Sequence, residues 1–578
     1  MRPVAVIDSE SDPFKKGRIP QPFIWGYYDG GCLDSDLPYR YFTSIRSLVE
    51  FLRDKEIVVY AHNGGKFDYH YLLDWVEPFD NIMVINGRLA KFHIGICEFR
   101  DSYNILPFPL AAYKKQKFDY SILEESERYK PENWETILKY LESDCVNLFE
   151  LVTAFIERFG MNMTYTGASM KVWQKISETK APRSTASYYH SFSPWYFGGR
   201  CECFKLGIIT EPFKVVDINS AYPFAMLHQH AYGLQYETWK GKSAEGAYND
   251  LEDNEVGPAF FKVRCIAKGA FPYRDTDKSL YFPADNEPRE YYVTGWELQA
   301  ALETETAKEV EFLEARIFDE HISFADYIYE FYNEKKVAKR NGDKANYLFA
   351  KWFMNSLYGK FASNPEEYKE YLILDPEMVG FLHSENTKEF DYEDRQYIFA
   401  GFFGDKVLAQ THLVEDKQRF YNIATAASIT GFVRGYLWRA ICNSMGVLYC
   451  DTDSIAACES TVEIGEDLGQ WETEGEFDRA AIAGRKLYAF RYITKGSEEK
   501  ADKLRWKIAS KGVKLKPSEI WRVARGGTVS YTPEVPTYRV SGFLNKETGK
   551  SEIARFISRE IKMIPKNVNR ITESEDTA

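Results

Sequence analysis

Apolar, β-branched runs alternate with amphipathic helical patterns through the first 160 residues of the chain. The strand-like runs are VAVID, FIWGYY, IVVYAHN, MVIN and FHIGICEF, and the helical patterns are SIRSLVEFLRD, YHYLLDWV and the long segment 132–159. This alternation predicts an α/β unit built on a mixed sheet. A polar, proline-bearing stretch from residue 177 then predicts a linker to further units.

The chain has 578 residues, which is more than a single hydrophobic core supports, so we expect several domains. Hydrophobic residues make up 44% of it, which excludes wholesale disorder. No apolar run approaches the roughly 20 residues of a membrane span, and the first residues lack the pattern of a signal peptide, so we expect a cytoplasmic protein. The cysteines form no CxxC pair and the histidines no HExxH motif, which argues against a transition-metal centre.

Charge is distributed unevenly along the chain. The net charge is −13, yet residues 503–570 hold 16 Lys and Arg against 5 Asp and Glu. A basic segment of this kind is typical of proteins that bind the phosphate backbone of nucleic acids. A solvated basic surface is the alternative.

Two carboxylates, Asp451 and Asp453, stand at the end of the strand-like run LYCDTDS. Like charges this close raise each other's pKa unless a cation lies between them. A divalent metal would meet that need, but a solvated turn would also tolerate both residues. Asp217 follows the strand-like run KVVDI in the same way, more than 200 residues earlier. Only a fold could bring the three together.

Four further carboxylates and a tyrosine have the spacing of a second site. Asp8 and Glu10 are two apart on a predicted strand, so both point to the same face. Asp68 opens a predicted helix after HNGGKF, and Asp144 follows Tyr140 by one helical turn. Hydrolysis of a phosphodiester by two metals needs carboxylates that bridge two hard cations about 4 Å apart. These four acids could supply the ligands, and the tyrosine could orient a water.

Cations and aromatic residues are interleaved between residues 340 and 360. Arg340, Lys344, Lys351 and Tyr358 are separated by 4, 7 and 7 residues. This spacing predicts three cations and a phenol on one face of a helix that stops at Gly359. A solvated basic face would explain the cations, but not the WF and LY pairs among them.

Taken in order, these motifs resemble those of the family B DNA polymerases. DxE, N-x-x-x-F-D and Y-x-x-x-D are similar to the exonuclease motifs of the proofreading members, whose exonuclease domain is RNase H-like. DINSAYP from residue 217, KWFMNSLYG from 351 and YCDTDS from 449 are similar to the three polymerase motifs, YFGG from 196 to the YxGG motif and KLY from 486 to the KxY motif. Ser9 and Ala221 depart from the family pattern at positions that do not ligate metal.

The resemblance implies a role for each matching residue. The polymerase site would use Asp217 and Asp453 as metal ligands with Asp451 in support, and the exonuclease site Asp8, Glu10, Asp68, Asp144 and Tyr140. Nucleotide binding would fall to Lys351 on the phosphates, Arg340 and Lys344 as helpers, Tyr222 under the sugar and Tyr358 near the nascent base pair. DNA contacts would be His62, Asn63, Phe67, Ser102, Tyr103, Tyr196, Gly198, Gly199, Lys486 and Tyr488. Each site would take two Mg²⁺ ions, for which Mn²⁺ can substitute.

The resemblance also implies an architecture. We expect an α/β and α+β multidomain chain with an RNase H-like exonuclease domain (1–185) and a right-hand polymerase of palm (186–227 and 411–502), fingers (323–364) and thumb (503–578). Residues 228–322 and 365–410 would be insertions, the first contacting terminal protein and DNA and the second serving strand displacement and processivity. These insertions fit the protein-primed subgroup, with polymerases of tectivirus-type phages the most similar and podovirus enzymes sharing the motifs.

The expected function is therefore protein-primed synthesis of DNA on a linear phage-type genome, with a proofreading 3′–5′ exonuclease and strand displacement. The partners would be primer-template and single-stranded DNA, dNTPs and a terminal protein, with no membrane. We expect a monomer in the cytoplasm of a phage-infected or prophage-bearing bacterium. The alternatives are a conventionally primed family B polymerase, a stand-alone 3′–5′ exonuclease and a catalytically inactive DNA-binding scaffold.

Overall fold

The structure of the chain, a computed structural model, describes residues 2–33, 35–77, 81–114, 117–251, 253–276, 279–375, 389–392, 394–403, 406–493, 505–510, 512–535, 537–538, 554–555 and 559–561. Within these ranges the strands form sheets of eleven, eight and four strands and three two-stranded pairs. This architecture confirms the predicted α/β and α+β multidomain class. In the same ranges, no helix is both long enough and apolar enough to cross a bilayer.

The amino-terminal part is built on a mixed sheet, as predicted. Its strands are β1 (Val4–Ser11), β2 (Pro22–Tyr28), β3 (Tyr39–Phe42), β4 (Val58–Ala61), β5 (Asn81–Ile85), β6 (Arg88–Ile94) and β7 (Cys97–Asp101), in the spatial order β5-β6-β7-β4-β1-β2-β3. β4 pairs in parallel with β1 and β7, and the outer pairs are antiparallel. The helices here are α1 (Ile45–Leu52), α2 (Glu125–Arg128) and α3 (Pro131–Phe159), and α3 packs on β1 and β2.

Two local predictions in this part were wrong. The run FHIGICEF is not one strand but two, β6 and β7, because Gly95 turns the chain between them with a positive φ of 59°. The run YHYLLDWV forms short 3₁₀ turns, Asp68–Tyr71 and Leu73–Trp75, instead of an α-helix. The buried Tyr69 hydroxyl donates to the carbonyl of Arg100 at 2.6 Å, which holds this segment against the sheet.

The stretch after residue 177, predicted as a linker, contains helix α5 (Ala186–Phe192), which follows α4 (Tyr165–Ile176). The hydroxyl of Thr185 caps α5 by accepting the backbone N–H of Tyr188 at 3.2 Å. Phe192 is completely buried. The linker prediction was wrong because the aromatic residues among the polar ones belong to the core.

The eight-stranded sheet carries the motifs assigned to the palm. Its strands are β8 (Cys201–Cys203), β9 (Gly207–Ile209), β10 (Phe213–Ile218), β21 (Met445–Asp451), β22 (Ser454–Glu459), β23 (Trp471–Gly484), β24 (Leu487–Tyr492) and β25 (Trp506–Ser510). The order is β25-β24-β23-β10-β22-β21-β8, with β9 beside β23. The sheet therefore extends beyond residue 502, where the sequence predicted the palm to end.

A four-stranded sheet lies within the segment predicted as the first insertion. Its strands, in the order β11-β16-β12-β15, are β11 (His230–Lys240), β12 (Phe260–Ala267), β15 (Arg289–Thr294) and β16 (Ala307–Ile322). The segment also holds the small hairpin of β13 (Tyr273–Arg274) and β14 (Leu280–Tyr281), and the helices α7 (Lys242–Asp250), α8 (Asp253–Val256) and α9 (Gly295–Glu303). It thus has a sheet of its own.

Two helices, α10 (Ala325–Asn341) and α11 (Lys344–Phe361), form the region assigned to the fingers, and they pack against each other. Gly342 ends α10 in the left-handed conformation, with φ 71°. Arg340 therefore lies on α10 and Lys344 on α11. The prediction of one helical face from residue 340 to 358 was wrong, because the chain reverses between these two cations. The helix also continues past residue 359.

The second predicted insertion contributes strands to the first sheet. β17 (Lys369–Leu374), β18 (Glu389–Tyr392), β19 (Arg395–Phe403) and β20 (Lys406–His412) extend it in the order β18-β19-β20-β17-β5. β17 pairs antiparallel with β5, with Tyr371 opposite Ile82. The eleven strands therefore come from segments that are almost 300 residues apart in the chain.

A nearly fully buried helix, α12 (Ile423–Cys442), packs against α9, α11, β11 and the short helix α6 (Ala221–Ala225). Two glycines allow α9 to approach closely. A Cβ at Gly431 would lie 2.2 Å from the Thr294 hydroxyl, and one at Gly435 would lie 2.5 Å from the Trp296 carbonyl oxygen. This helix fixes the four-stranded sheet against the rest of the protein.

Helix α13 (Pro517–Ala524) packs against β23 and β24, and it is followed by the short strands β26 (Val529–Tyr531), β27 (Thr537–Tyr538), β28 (Ala554–Arg555) and β29 (Arg559–Ile561). Much of the basic segment 503–570 lies outside the described residues. The thumb at 503–578 therefore stays a prediction.

Candidate active sites

Three carboxylates from the amino-terminal sheet and its long helix converge. Asp8 and Glu10 lie on β1 and Asp144 on α3, and each offers an oxygen within 4.8 Å of the others. Burial, together with the charges of the neighbouring carboxylates, raises the pKa of Glu10 to about 8 and raises that of Asp8 well above its usual range. The strand and helix spacings thus brought these side chains to one place, as the sequence predicted.

Asp68 belongs to the same group of charges. Burial raises its pKa to about 6, whereas a hydrogen bond from the Ser9 hydroxyl, 2.5 Å away, opposes that rise. Ser9 is the residue between the two β1 carboxylates, where the family pattern differs. Its hydroxyl ties the Asp68 carboxylate to β1.

Tyr140 lies one turn before Asp144 on α3, as predicted. Its ring stacks on Phe118 with centroids 4.0 Å apart, and its hydroxyl is 3.3 Å from that of Tyr120. Burial raises the pKa of Asp144, and interaction with the Tyr140 hydroxyl opposes that change. The phenol is thus held beside the carboxylates by two aromatic neighbours that the motif does not contain.

The residues predicted to grip a DNA strand lie at the ends of β4 and β7, but two of them have internal partners. The His62 ring nitrogens contact the Ser102 hydroxyl at 3.0 Å and the Phe108 carbonyl at 2.9 Å. Ser102 is completely buried, which does not support a direct DNA contact for it. Asn63 is exposed and Tyr103 half-buried, so both remain accessible.

Phe67 lies at the edge of this site among other rings. Its centroid is 5.6 Å from that of Phe14 and 5.5 Å from that of Tyr71, both in edge-on arrangements. The Phe14 side chain is 46% exposed. An aromatic pair at the mouth of a carboxylate site is suited to stacking on an unpaired base.

Sequence reasoning missed Arg88 at this site. Its guanidinium donates to Asn63 Oδ1 at 2.6 Å and to the buried Asp101 at 2.8 Å, and it lies 4.3 Å from the centroid of the Tyr103 ring. Arg88 therefore joins the loops after β4 and β7. No motif contains it, and only the ion pair with Asp101 makes it recognisable.

In the eight-stranded sheet, β10 and the β21–β22 hairpin bring the other carboxylates together. Asp217 is opposite Ser454 in the antiparallel pairing, and the N–H of Ile218 donates to the carbonyl of Asp453 at 2.8 Å. Burial, reinforced by the charge of Asp453, raises the pKa of Asp217 to about 7. Burial and the charge of Asp451 raise that of Asp453 to about 6. The fold closes the gap of more than 200 residues that the sequence left open.

Asp451 is bound by a cation from the protein. The Lys486 ammonium is 2.7 Å from both of its carboxylate oxygens. Burial lowers the pKa of Lys486, but the contacts with Asp451 more than reverse that shift, so it stays protonated. Lys486 was predicted to hold a primer end, and its position on the Asp451 carboxylate is compatible with a supporting role for both residues. Tyr488, its partner in the KxY motif, is only 8% exposed and stacks on Phe490.

The Gly198–Gly199 pair passes next to the turn between Asp451 and Asp453. A Cβ at Gly199 would lie 2.7 Å from the Thr452 methyl, whereas one at Gly198 would meet nothing within 4 Å. The Thr452 N–H also donates to the Arg200 carbonyl at 2.5 Å. One glycine is needed for packing on the turn, and the other leaves open space.

Three tyrosines form one side of this site. The rings of Tyr222 and Tyr358 stack with centroids 4.2 Å apart and planes 11° from parallel. Burial raises the pKa of Tyr222 to about 12, and Tyr196 is close enough to influence both. The predicted sugar and base contacts are thus neighbours, although they are 136 positions apart.

Arg434 on α12 is a second residue that the motifs did not reveal. It is almost completely buried, pairs with Glu297 at 2.7 Å, and donates to the carbonyls of Phe197 and Gly198 at 2.6 and 2.9 Å. A buried ion pair of this kind fixes the backbone that passes the carboxylate turn. A lone arginine in the small and apolar run ASITGFVRGYLW was its only sequence signal.

The lysines of the helix pair face the acidic row on β23. Burial and the charges of Lys351 and Lys339 lower the pKa of Lys335, while Glu472 raises it. Glu472 is opposite Asp217 in the sheet. Lys335 therefore lies between the predicted phosphate contact, Lys351, and the palm carboxylates, and sequence reasoning missed it.

The donor sets of both sites fit hard divalent cations. Every side chain that converges is a carboxylate, and the raised pKa values of Glu10 and Asp217 follow from charges left without a compensating cation. Magnesium and manganese prefer oxygen ligands. Thiolate and imidazole ligands are not part of either carboxylate group, which fits the expectation from the sequence.

Residues 107–431 match the family of type B DNA polymerases, organellar and viral. The chain is 32% identical to the DNA-directed DNA polymerase of Enterobacteria phage PRD1, over 97% of this chain and 98% of that one. It is 25% identical to the DNA polymerase of Bacillus phage Nf, over 81% of this chain and 83% of that one.

A solved structure has the same fold over its whole length. The phi29 DNA polymerase, complexed with primer-template DNA and incoming nucleotide substrates, covers 98% of this chain and 100% of its own with a TM-score of 0.69 and 18% identity. At this identity the similarity shows the fold.

Proposed function

The chain belongs to the type B DNA polymerases, organellar and viral, and we propose that it starts synthesis from a protein primer and proofreads its product at a second site. It is a DNA-directed DNA polymerase. Polymerases of this family use divalent metal ions. The assignment of the two activities to particular residues, the identity of the metal as Mg²⁺ and the protein primer are our proposals.

The observation that carries the proposal is the pair of separate carboxylate sites. One joins Asp217 to Asp453 through the β10–β22 pairing, and the other joins Asp8, Glu10 and Asp144 through β1 and α3. Polymerisation and hydrolysis of phosphodiesters both require carboxylates in such groups. A stand-alone exonuclease needs only the second site, and the retained acids of both sites disfavour an inactive scaffold.

At the polymerase site we assign Asp217 and Asp453 as ligands of two Mg²⁺ ions, which when bound would activate the primer hydroxyl and neutralise the triphosphate. Asp451 supports this site through its ion pair with Lys486. Lys351 attracts the triphosphate from the other side, together with Lys335, which the sequence did not suggest. Arg340 and Lys344 are more distant helpers, because they lie on either side of the turn at Gly342.

The nucleotide and template are oriented by the aromatic side of the same site. Tyr222, stacked on Tyr358, would occupy the space that a 2′-hydroxyl needs, which selects deoxynucleotides. Tyr196, Gly198 and Gly199 line the path of the template. Arg434 holds the backbone of that path by two hydrogen bonds.

At the exonuclease site the same type of ligand set serves hydrolysis. Asp8, Glu10, Asp68 and Asp144 would hold Mg²⁺, and the Tyr140 hydroxyl would orient the attacking water. Phe67, Asn63 and Tyr103 would bind the frayed 3′ end, while His62 and Ser102 support them from inside through their mutual hydrogen bond. This division of labour revises two of the predicted DNA contacts into positioning residues.

The partners that we propose are primer-template and single-stranded DNA, dNTPs and a terminal protein. The strongest support for protein priming is the four-stranded sheet within 228–322 and the strands within 365–410, which occupy the positions of the two predicted insertions. The insertions would also give strand displacement and processivity. A monomer in the cytoplasm of a phage-infected or prophage-bearing bacterium would replicate a linear genome in this way.

Three assays with the full chain and Mg²⁺ test the proposal: extension of a primed template, trimming of single-stranded DNA, and transfer of one deoxynucleotide to the candidate terminal protein. We expect all three activities. Extension and trimming without any protein-linked nucleotide would support the conventionally primed alternative. Trimming without extension would leave a stand-alone exonuclease. Loss of transfer in Asp217→Asn, but not in Asp144→Ala, would assign priming to the polymerase site.

A further inference from the structure

A cavity of about 360 Å³ opens where the segment before Gly198 meets the sheet of β11, β12, β15 and β16. This volume is near the lower end of the range for small-ligand pockets, about 300–1,000 Å³. Its walls are mostly rings and one guanidinium, contributed by Pro194, Phe197, Pro272, Tyr273, Arg274 and Tyr292. No residue of this pocket belongs to a catalytic motif.

The walls are held by contacts outside the pocket. Trp195 meets the Tyr292 ring edge-on at 4.8 Å, and Tyr281 meets the Tyr273 ring at 5.6 Å. The guanidinium of Arg274 lies 4.6 Å from the Phe197 centroid. Preformed ring faces with a stacked arginine are the arrangement in which proteins bind unpaired bases without reading their sequence.

The charges at the rim favour a neutral, flat ligand over a phosphate. Glu290 lines the pocket and forms an ion pair with Lys262 at 2.7 Å, so this lysine is already neutralised. The Lys262 ammonium also lies 5.3 Å from the Tyr292 centroid. A phosphate entering here would meet the Glu290 carboxylate, whereas a base would meet ring faces.

The pocket is continuous with the path assigned to the template. Arg274 donates to the Tyr196 carbonyl at 3.2 Å, and Gly199, three residues further on, packs on Thr452 between Asp451 and Asp453. A DNA strand that follows this backbone therefore passes the mouth of the pocket immediately beside the polymerase carboxylates.

We propose that this pocket holds one unpaired nucleobase of the DNA strand that runs along Tyr196–Gly199. The base stacks between the Tyr273 and Tyr292 side of the pocket and the Arg274 guanidinium, and the sugar-phosphate backbone stays outside. The proposal rests on the proposed function, because it assumes that this backbone contacts DNA. It adds a base-binding site in the insertion that the polymerase motifs do not contain.

A set of single-stranded oligonucleotides tests this proposal, each with one abasic position moved a nucleotide at a time past a primer end. The measurements are the dissociation constant of the full chain and the rate of primer extension. We expect one position at which the missing base weakens binding by about 5-fold or more, since stacking of one base on aromatic residues contributes about 1–3 kcal/mol.

Two variants connect that position to the pocket. Arg274→Gln changes an exposed side chain and Tyr273→Leu removes a ring, and each should flatten the abasic profile while exonuclease activity stays unchanged. Tyr273→Phe keeps the ring and should keep the profile. A profile without any sensitive position, or one that Arg274→Gln and Tyr273→Leu leave intact, would overturn the proposal.

A protein segment is the competing occupant of the pocket. If the two variants weaken binding of the candidate terminal protein and leave the abasic profile unchanged, the nucleobase proposal is wrong. The primer-extension rate on an undamaged template distinguishes failure of this proposal from failure of the proposed function. An enzyme that extends primers but has a flat abasic profile refutes only the pocket.

Discussion

Both carboxylate oxygens of Asp451 lie 2.7 Å from the Lys486 ammonium. The neighbouring carboxylate, Asp453, is left facing Asp217 across the β10–β22 pairing. The hairpin thus gives its two acidic residues different partners, one a cation of the protein and the other the opposing carboxylate. This difference predicts different effects for similar substitutions.

Asp217→Asn and Asp453→Asn should each reduce primer extension by on the order of 10³-fold, because each removes a ligand that stabilises charge in the transition state. Asp451→Asn should retain more activity, since it breaks the ion pair with Lys486 without removing a proposed ligand. Steady-state extension rates check this order. All three variants should trim single-stranded DNA at the wild-type rate, and equal losses for the three would contradict the division of roles.

Asp8→Ala and Asp144→Ala should lose trimming of single-stranded DNA by on the order of 10²-fold or more, while extension of a matched primer persists. Tyr140→Phe should lose less, because it removes only the hydroxyl that orients water and keeps the ring on Phe118. A gel assay with a labelled single strand measures the effect. Extension of a mismatched primer is the control, since it should become easier in the inactive variants.

Gly199→Ala should reduce extension at least about 10-fold, because its Cβ would overlap the Thr452 methyl and overpacking costs about 1–3 kcal/mol. Gly198→Ala is the matched control for folding, since its Cβ meets open space in the protein. The second change Thr452→Gly should restore part of the activity, because Thr452 has a φ of 60°, which glycine adopts freely. No rescue in the double variant would refute the packing explanation.

Lys351→Gln should raise the KM for dNTP by about 10-fold, because a contact with a charged group contributes about 1.5–3 kcal/mol. Lys335→Gln should act in the same direction. Lys344→Gln at the exposed start of α11 is the matched control, and we expect less than about 3-fold change for it. Equal effects at residues 344 and 351 would indicate a general field of the helix pair instead of a direct contact.

Acid should destabilise the protein through buried histidines. Burial lowers the pKa of His230 to about 3 from the ordinary 6.5, while its ring contacts the Ser428 hydroxyl and the Ala225 carbonyl. Because the unfolded chain binds the proton first, the contribution of His230 is complete above pH 6.5 and is lost as the pH falls toward 3. The loss is up to about 1.4 kcal/mol for each pH unit.

Chemical denaturation at about pH 7.5 and about pH 5.5 measures this effect. His230→Gln should be less stable than the wild type at the higher pH, because it loses part of the hydrogen bonding. It should lose less stability between the two pH values than the wild type does. Parallel losses in both proteins would show that other groups cause the acid sensitivity.

Much of each site could be predicted from local pattern. Two acids two residues apart on a strand must share a face, and a tyrosine four residues before an aspartate on a helix must lie beside it. Asp8, Glu10, Tyr140 and Asp144 followed these rules. Asp217 and Asp451 were found near the ends of strands, as their apolar preceding runs indicated.

Other features depended on where the chain turns, and there the local pattern misled. The spacing of Arg340, Lys344 and Lys351 fits a continuous helix, yet Gly342 reverses the chain between the first two. The run after residue 177 is polar on average, yet its aromatic residues are buried. A period or a composition averages over the single residue that ends an element, and so it cannot reveal the reversal.

The sequence by itself determined the chemistry of this protein: which carboxylates, cations and tyrosines are present, and which neighbours share a face. Only the tertiary structure decided which of them meet. Asp217 reaches Asp453, Lys486 takes Asp451, and Arg434 and Arg88 fix the backbone around the two sites, through pairings between segments far apart in the chain. Distances within one element follow from its fixed geometry, whereas distances between elements follow from the packing of the whole core.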